Sequence, residues 1–178
     1  MEGNLTSNQK GAIAEAELFC AAVWLGIPVY KPLAEHGRAD LVLEVGARLI
    51  RVQCKWGTLG SGVVRARIGT SRCTPRGYIR TTYDANEIDA LAIYCAVLDK
   101  CYLIPISEIV GHTYIHLRLA PSRNNQKVGL RWADDYELGA IAQLGERLAG
   151  SQKAVGSSPT SSTSPEPRQI ALETSDAH

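Results

Sequence analysis

The sequence predicts an α/β fold, and three observations carry that prediction. Residues Thr6 to Leu25 bear small and apolar side chains at helical spacing. Two β-rich runs, Ala39 to Val45 and Arg48 to Lys55, flank Gly46-Ala47, a pair suited to a tight hairpin turn. Farther on, "IDALAIYCAV", "KCYLIPI" and "YIHLRLA" are strand-like runs. With 178 residues, 45% of them hydrophobic, the chain suffices for one packed domain, expected over 1–138, followed by a tail over 139–178.

The first helix has Thr6 or Ser7 to cap its start and Gly26 followed by Pro28 to end it. On its wheel Ala12, Glu15, Phe19 and Ala22 form one stripe, which is expected to face the body of the protein with Glu15 on it and Glu17 turned away. A carboxylate on a packing face calls for a reason. "IPVYKPL" is a short candidate strand, and a polar turn through Glu35, His36 and Gly37 leads from it into the hairpin.

Glycine at the first central position of the turn suits type II′ geometry, and that turn sets the register. It pairs Val45 with Arg48, and counting outward places Asp40 opposite Gln53, with Cβ atoms about 5 Å apart on one face. Arg51 and Lys55 share that face, while Leu41, Leu43, Ile50, Val52 and Cys54 turn to the other. The polar residues therefore converge at the open end of the hairpin.

A hard divalent cation such as Mg²⁺ takes oxygen ligands, usually one or two carboxylates with waters and phosphate oxygens. Glu15, Asp40, the Gln53 side-chain oxygen and the Cys54 carbonyl are a fitting donor set. Lys55, a point charge on a long stem, suits the orientation of a water or the stabilisation of phosphoryl charge. Charge distribution points the same way. Net charge is +1, yet Ala47 to Thr82 holds eight basic residues and no acidic one, leaving 11 basic against 18 acidic residues elsewhere. Arg51, Arg65, Arg67, Arg72, Arg76 and Arg80 from this segment are candidates to hold a phosphate backbone, although a charge run also suits an ordinary solvated face.

A helix glutamate, an aspartate opening one strand and an acceptor-x-Lys closing the next resemble the PD-(D/E)xK nuclease core, of α-β-β-β-α-β type with a mixed sheet. The stretch "NQKGAIAEAELFCAAVWLGIPVYKPLAEHGRADLVLEVGARLIRVQCKWG" is similar to the group within it that includes group I intron homing endonucleases, whose second acidic position is Gln. "EIDALAIYCAVLDKCYLIPISEI" and "LRLAPSRNNQ" resemble later parts of that group, so the likeness spans about Asn8 to Leu138. It implies a restriction-endonuclease-like fold, duplex DNA as substrate and Mg²⁺ as cofactor. It also implies Glu15, Asp40, Gln53 and Lys55 as active-site residues, the first three on the metal. Two positions depart from the superfamily pattern: Ala39 stands where proline is usual, and Gln53 where Asp or Glu is usual. Cutting both strands is simplest with two symmetry-related sites, hence a homodimer or homotetramer. A junction-resolving nuclease and a catalytically silent DNA-binding module are the rival readings.

The remaining features are plainer. Five cysteines (Cys20, Cys54, Cys73, Cys95, Cys101) without Cys-x-x-Cys spacing suit reduced thiols, and no apolar run reaches membrane length, so a cytoplasmic protein off the membrane is expected. His112 and His116 sit in an alternating "HTYIHLRL" without a third ligand, which argues against metal. Trp56 and Tyr83 either touch bases or cap the core. "PSRNNQ" is expected as a loop and "ADDYEL" as a closing helical turn. From Gly139 the chain resembles a translated transfer-RNA gene: Ile141 to Arg147 back-translates to a D-arm-like sequence and Gly156 to Pro159 to a T-arm-like one. The alternative is an amphipathic helix followed by a Ser/Pro-rich linker. Either way, disorder is expected for "GSSPTSSTSPEP", which lacks apolar residues.

Overall fold

A computed structural model of the chain describes residues 4–33, 37–75, 77–121 and 129–140. Helix α1 (Ser7–Trp24) opens with a capping box, in which Thr6 Oγ1 accepts from the Gln9 N–H at 3.2 Å and Gln9 Oε1 accepts from the Thr6 N–H at 2.9 Å. Nine strands follow among the described residues: β1 (Val29–Tyr30), β2 (Leu41–Val45), β3 (Arg48–Gly60), β4 (Val63–Arg67), β5 (Thr70–Thr74), β6 (Gly77–Thr81), β7 (Ala90–Cys95), β8 (Lys100–Pro105) and β9 (Tyr114–Arg118).

Strand β3 organises the sheet. Antiparallel β2 pairs with Arg48–Val52, parallel β7 with Val52–Gly57, and antiparallel β4 with Thr58–Gly60. β1 extends β2, β8 extends β7 and β9 extends β4, which makes a mixed sheet of seven strands, while β5 and β6 form a separate hairpin. The β2–β3 register is the expected one, with Val45 opposite Arg48 and Leu41 opposite Val52. Gly46 supplies the positive φ of 62° that the turn needs. The runs assigned to β7, β8 and β9 are strands, and Ala133–Tyr136 is a 3₁₀ turn.

Two apolar clusters lie on opposite faces of the sheet. Ala14, Leu18 and Ala22 of α1 pack with Leu41, Leu43, Val52 and Cys54 and with Ala90 and Ala92 of β7. The other face gathers Leu91, Ile93 and Cys95 of β7 with Val64, Tyr83, Ile88 and Ile104. Every residue of β7 is buried, as befits a strand covered on both faces. An isolated helix of this length is marginal in water, so burial holds it; Leu18, 1% exposed, contributes roughly 1.5–3 kcal/mol.

The buried stripe of α1 differs from the expected one. Ala14, Leu18 and Ala22 face the sheet, Ala12 and Phe19 are exposed, and Glu15 and Glu17 flank the contact. Small side chains decide this, since Ala14 and Ala22 opposite Ala90 and Ala92 let the helix come close, whereas Phe19 would hold it off. The chain between β3 and β7, where the superfamily pattern would set its second helix, instead forms β4 and the β5–β6 hairpin. Its Val, Ile, Thr and Tyr content favours strands. The "PSRNNQ" loop after Pro121 and the tail beyond Ala140 lie outside the described residues, as does Arg76. None of the described helices is long and apolar enough to cross a membrane.

At Gly57 strands β3 and β7 leave no room for a side chain. A Cβ there would stand 2.7 Å from Ile93 Cγ2 and 3.2 Å from the Tyr94 carbonyl oxygen. Gly57→Ala is therefore expected to destabilise by about 1–3 kcal/mol, measured as a lower midpoint of thermal or urea unfolding.

Candidate active site

Asp40 lies just before β2, where the ladder with β3 ends. Its N–H donates to the Val52 carbonyl at 2.8 Å, so Asp40 and Leu41 both meet Val52 and the chain is shifted by one residue where the ladder ends; the expected pairing of Asp40 directly opposite Gln53 is not formed. Its carboxylate accepts from the Cys54 N–H at 2.7 Å and from the Gln53 side-chain amide nitrogen. Because N–H and C=O of one strand residue face the same edge, the Cys54 carbonyl also faces the end where β2 has stopped.

Glu15 comes to this place from the helix, and Lys31, just after β1, holds its Oε2 at 3.1 Å. Burial raises the Asp40 pKa above its ordinary 3.8, and the nearby Glu15 charge raises it further; the Cys54 N–H, Lys55 and Gln53 oppose the shift. Burial pushes the Cys54 thiol up as well, helped by Asp40 and Glu15, so it remains a neutral apolar filler. Two carboxylates thus approach each other in partly desolvated surroundings, an arrangement that a divalent cation would relieve. Among the described residues no three His, Cys, Asp or Glu side chains gather as a metal cluster. An oxygen set would need Glu15, Asp40 and the Cys54 carbonyl. Gln53 presents its amide nitrogen to Asp40 and so acts there as a donor.

Lys55 lies two residues beyond Gln53 on β3, with its Nζ 5.3 Å from the centroid of the Tyr83 ring. The Arg38 guanidinium lies over the same ring at 5.3 Å, and its Nε is 2.9 Å from Glu87 Oε1. Tyr83 is a core residue, 2% exposed. Trp56 packs edge-on against Tyr94 with ring centroids 5.7 Å apart, and Lys10 sits over its ring.

The arginines fall into separate groups. The Arg51 guanidinium clamps the turn before β7, pairing with both Asp89 carboxylate oxygens at 2.9 and 3.0 Å and donating to the Ala85 and Asn86 carbonyls. These hydrogen bonds hold the Asp89 carboxyl below its usual range. Arg51 therefore ties the protein to itself. Arg65 and Arg67 are exposed on β4, cross-strand from His116 and Tyr114 of β9. Arg72 and Arg80 belong to β5 and β6. Reading the sequence missed Lys31, Arg38, Glu87 and Asp89; only Arg38 carried a signal, its place two residues before Asp40.

The family model described as PD-(D/E)XK endonuclease matches residues 5–139. Among solved structures, the chain is similar to a bacterial homing endonuclease, I-Ssp6803I, with a TM-score of 0.64 and 23% identity over 86% of this chain and 100% of that one. At this identity the likeness is one of fold. No curated protein matches the chain.

The Asp40 shift has a definite sign. A carboxyl whose pKa is raised by folding is favoured in its protonated form, so its contribution to stability is present at low pH and is lost as pH rises through the shifted value. Asp40→Asn is thus expected to unfold at a higher temperature than the parent near pH 7 and to lose that advantage below pH 3.8, in paired melts across pH.

Proposed function

The chain belongs to the PD-(D/E)XK endonuclease family, and from that premise we propose that it hydrolyses phosphodiester bonds in duplex DNA, with Glu15, Asp40, Gln53 and Lys55 as its active-site residues. The observation that carries this reading is the Asp40 carboxylate, held by the Cys54 N–H at 2.7 Å and drawing Glu15 and Lys55 into its field.

Each residue has a part in the proposal. Glu15 and Asp40, with the Cys54 carbonyl, would hold a hard divalent cation, Mg²⁺ being the natural choice for oxygen donors. When bound, such an ion supplies Lewis-acid stabilisation of the phosphoryl group and a water that is easier to deprotonate. Gln53 fixes the Asp40 carboxylate through its amide nitrogen, a task that needs no charge. Lys55 offsets negative charge growing on the phosphoryl oxygens, which it can do only if no carboxylate neutralises it. Arg65 and Arg67 would take neighbouring phosphates, with Arg72, Arg76 and Arg80 as further candidates. Arg51 is left out of that surface, because Asp89 occupies it.

The fold likeness to I-Ssp6803I supports a homing or mobile-element type. Cleavage of both strands then calls for a homodimer or homotetramer. One observation favours a second reading: the neutral Gln53 in place of an acid leaves two carboxylates, which suits a catalytically silent DNA-binding module.

Incubation with a library of duplex DNA, with Mg²⁺ or with EDTA, separates the two. New ends that require metal and vanish in Asp40→Ala are expected; salt-sensitive DNA retention without ends would establish the silent module. Lys55→Ala is expected to abolish cleavage and leave binding largely intact. Arg65→Ala with Arg67→Ala should lower the slope of log K against log salt by about 2, checked by binding titrations at several salt concentrations.

A further inference from the structure

We propose that Tyr83 is a positioning residue whose ring face holds Lys55 at the site while leaving its charge unneutralised. The proposal rests on the reading of Lys55 as the catalytic cation. Among the described residues the Lys55 ammonium makes no hydrogen bond and no ion pair; it lies in the field of Asp40, and its direct contact is the Tyr83 ring, with Nζ 5.3 Å from the centroid. That distance lies within the reach of a cation–π contact.

A lysine that must meet a phosphoryl group faces two opposed demands. It has to be held, because its four-carbon stem is flexible. It must also keep its charge available, and a carboxylate partner would hold it only by cancelling that charge. The face of an aromatic ring satisfies both, attracting the ammonium through its quadrupole while adding no net charge. Three neighbouring cations have acid partners instead: Arg38 has Glu87, Lys31 has Glu15 and Arg51 has Asp89.

The platform is itself fixed. Tyr83 is buried in the same apolar cluster as Ile88 and Leu91. The turn that follows it is closed by the Asp84 carboxylate, which accepts from the Asn86 N–H at 2.7 Å, and is bound to β3 by Arg51 and Asp89. The Tyr83 hydroxyl is buried with no hydrogen-bond partner among the described residues. What the packing shows in use is therefore the ring.

The test varies the ring's electrons and keeps its shape. Tyr83→Phe retains the face without the hydroxyl, and a trifluorinated phenylalanine at the same position withdraws electron density from the face with little change in volume. Tyr83→Phe is expected to keep kcat to within about twofold, and the fluorinated side chain to lower it roughly tenfold, with KM for duplex DNA and the unfolding midpoint unchanged. A core residue without this role would show no dependence on fluorination. In parallel, NMR of lysine labelled at the ε-carbon should show the Lys55 ε-methylene protons displaced upfield by the ring current. Equal cleavage by the Phe and fluorinated proteins, or a Lys55 resonance at the position of a solvated lysine, would overturn the proposal. Full cleavage by Lys55→Ala would instead remove the reading beneath it, while the NMR signal would still report whether the ring holds the ammonium.

Discussion

The pairing of β2 with β3, in the register set by the Gly46 turn, is the constraint from which the site follows. Slipping that pairing by one residue would send Gln53 and Lys55 to the face packed against α1 and bring Cys54 to the polar side. The apolar residues resist such a slip, since Leu41, Leu43 and Val52 are all buried beneath the helix. The hydrophobic pattern thus does the work of aligning polar groups it never touches. Asp40, just beyond the Leu41–Val52 pair and bonded to the Val52 carbonyl, inherits its place from that alignment.

Holding charge near a core has an energetic consequence. Asp40 loses water and sits in the field of Glu15, and the donors it gains from Cys54 and Gln53 only partly offset this. The fold therefore keeps a carboxylate in a position it does not favour, which is common where a group serves chemistry more than packing. Stability is drawn from elsewhere, above all from β7, whose two faces are both covered. Arg51 adds to this by fastening the turn in front of β7.

Much of this was legible in the residues because it follows from short-range rules. The two-residue turn gave the hairpin register from Val45–Arg48 to Leu41–Val52, and period-two alternation placed Gln53 and Lys55 on one face; the one-residue shift at Asp40 was not legible, since nothing in the residues marks it. The capping residue and the end of α1 could be read from Thr6 and Gly26. Its packing stripe could not, because Ala12 and Ala14 look alike in sequence and only contact with Ala90 and Ala92 distinguishes them. For the same reason the partners Glu87 and Asp89 were invisible: they approach Arg38 and Arg51 across 49 and 38 residues of chain. Arg51 illustrates the general difficulty, since a guanidinium facing solvent and one clamping a turn have identical neighbours in sequence.

The donor that fixes Asp40 belongs to the main chain of Cys54, and this bears on how such a site changes over generations. A contact made by a side chain is lost by a single codon change, whereas this one survives every replacement at position 54 except proline, the one residue without an N–H. Selection at that position can act on the size of the buried thiol alone. With the aspartate secured in this way, position 53 is relieved of holding it unaided, and an amide can stand there in place of an acid without the aspartate losing its anchor.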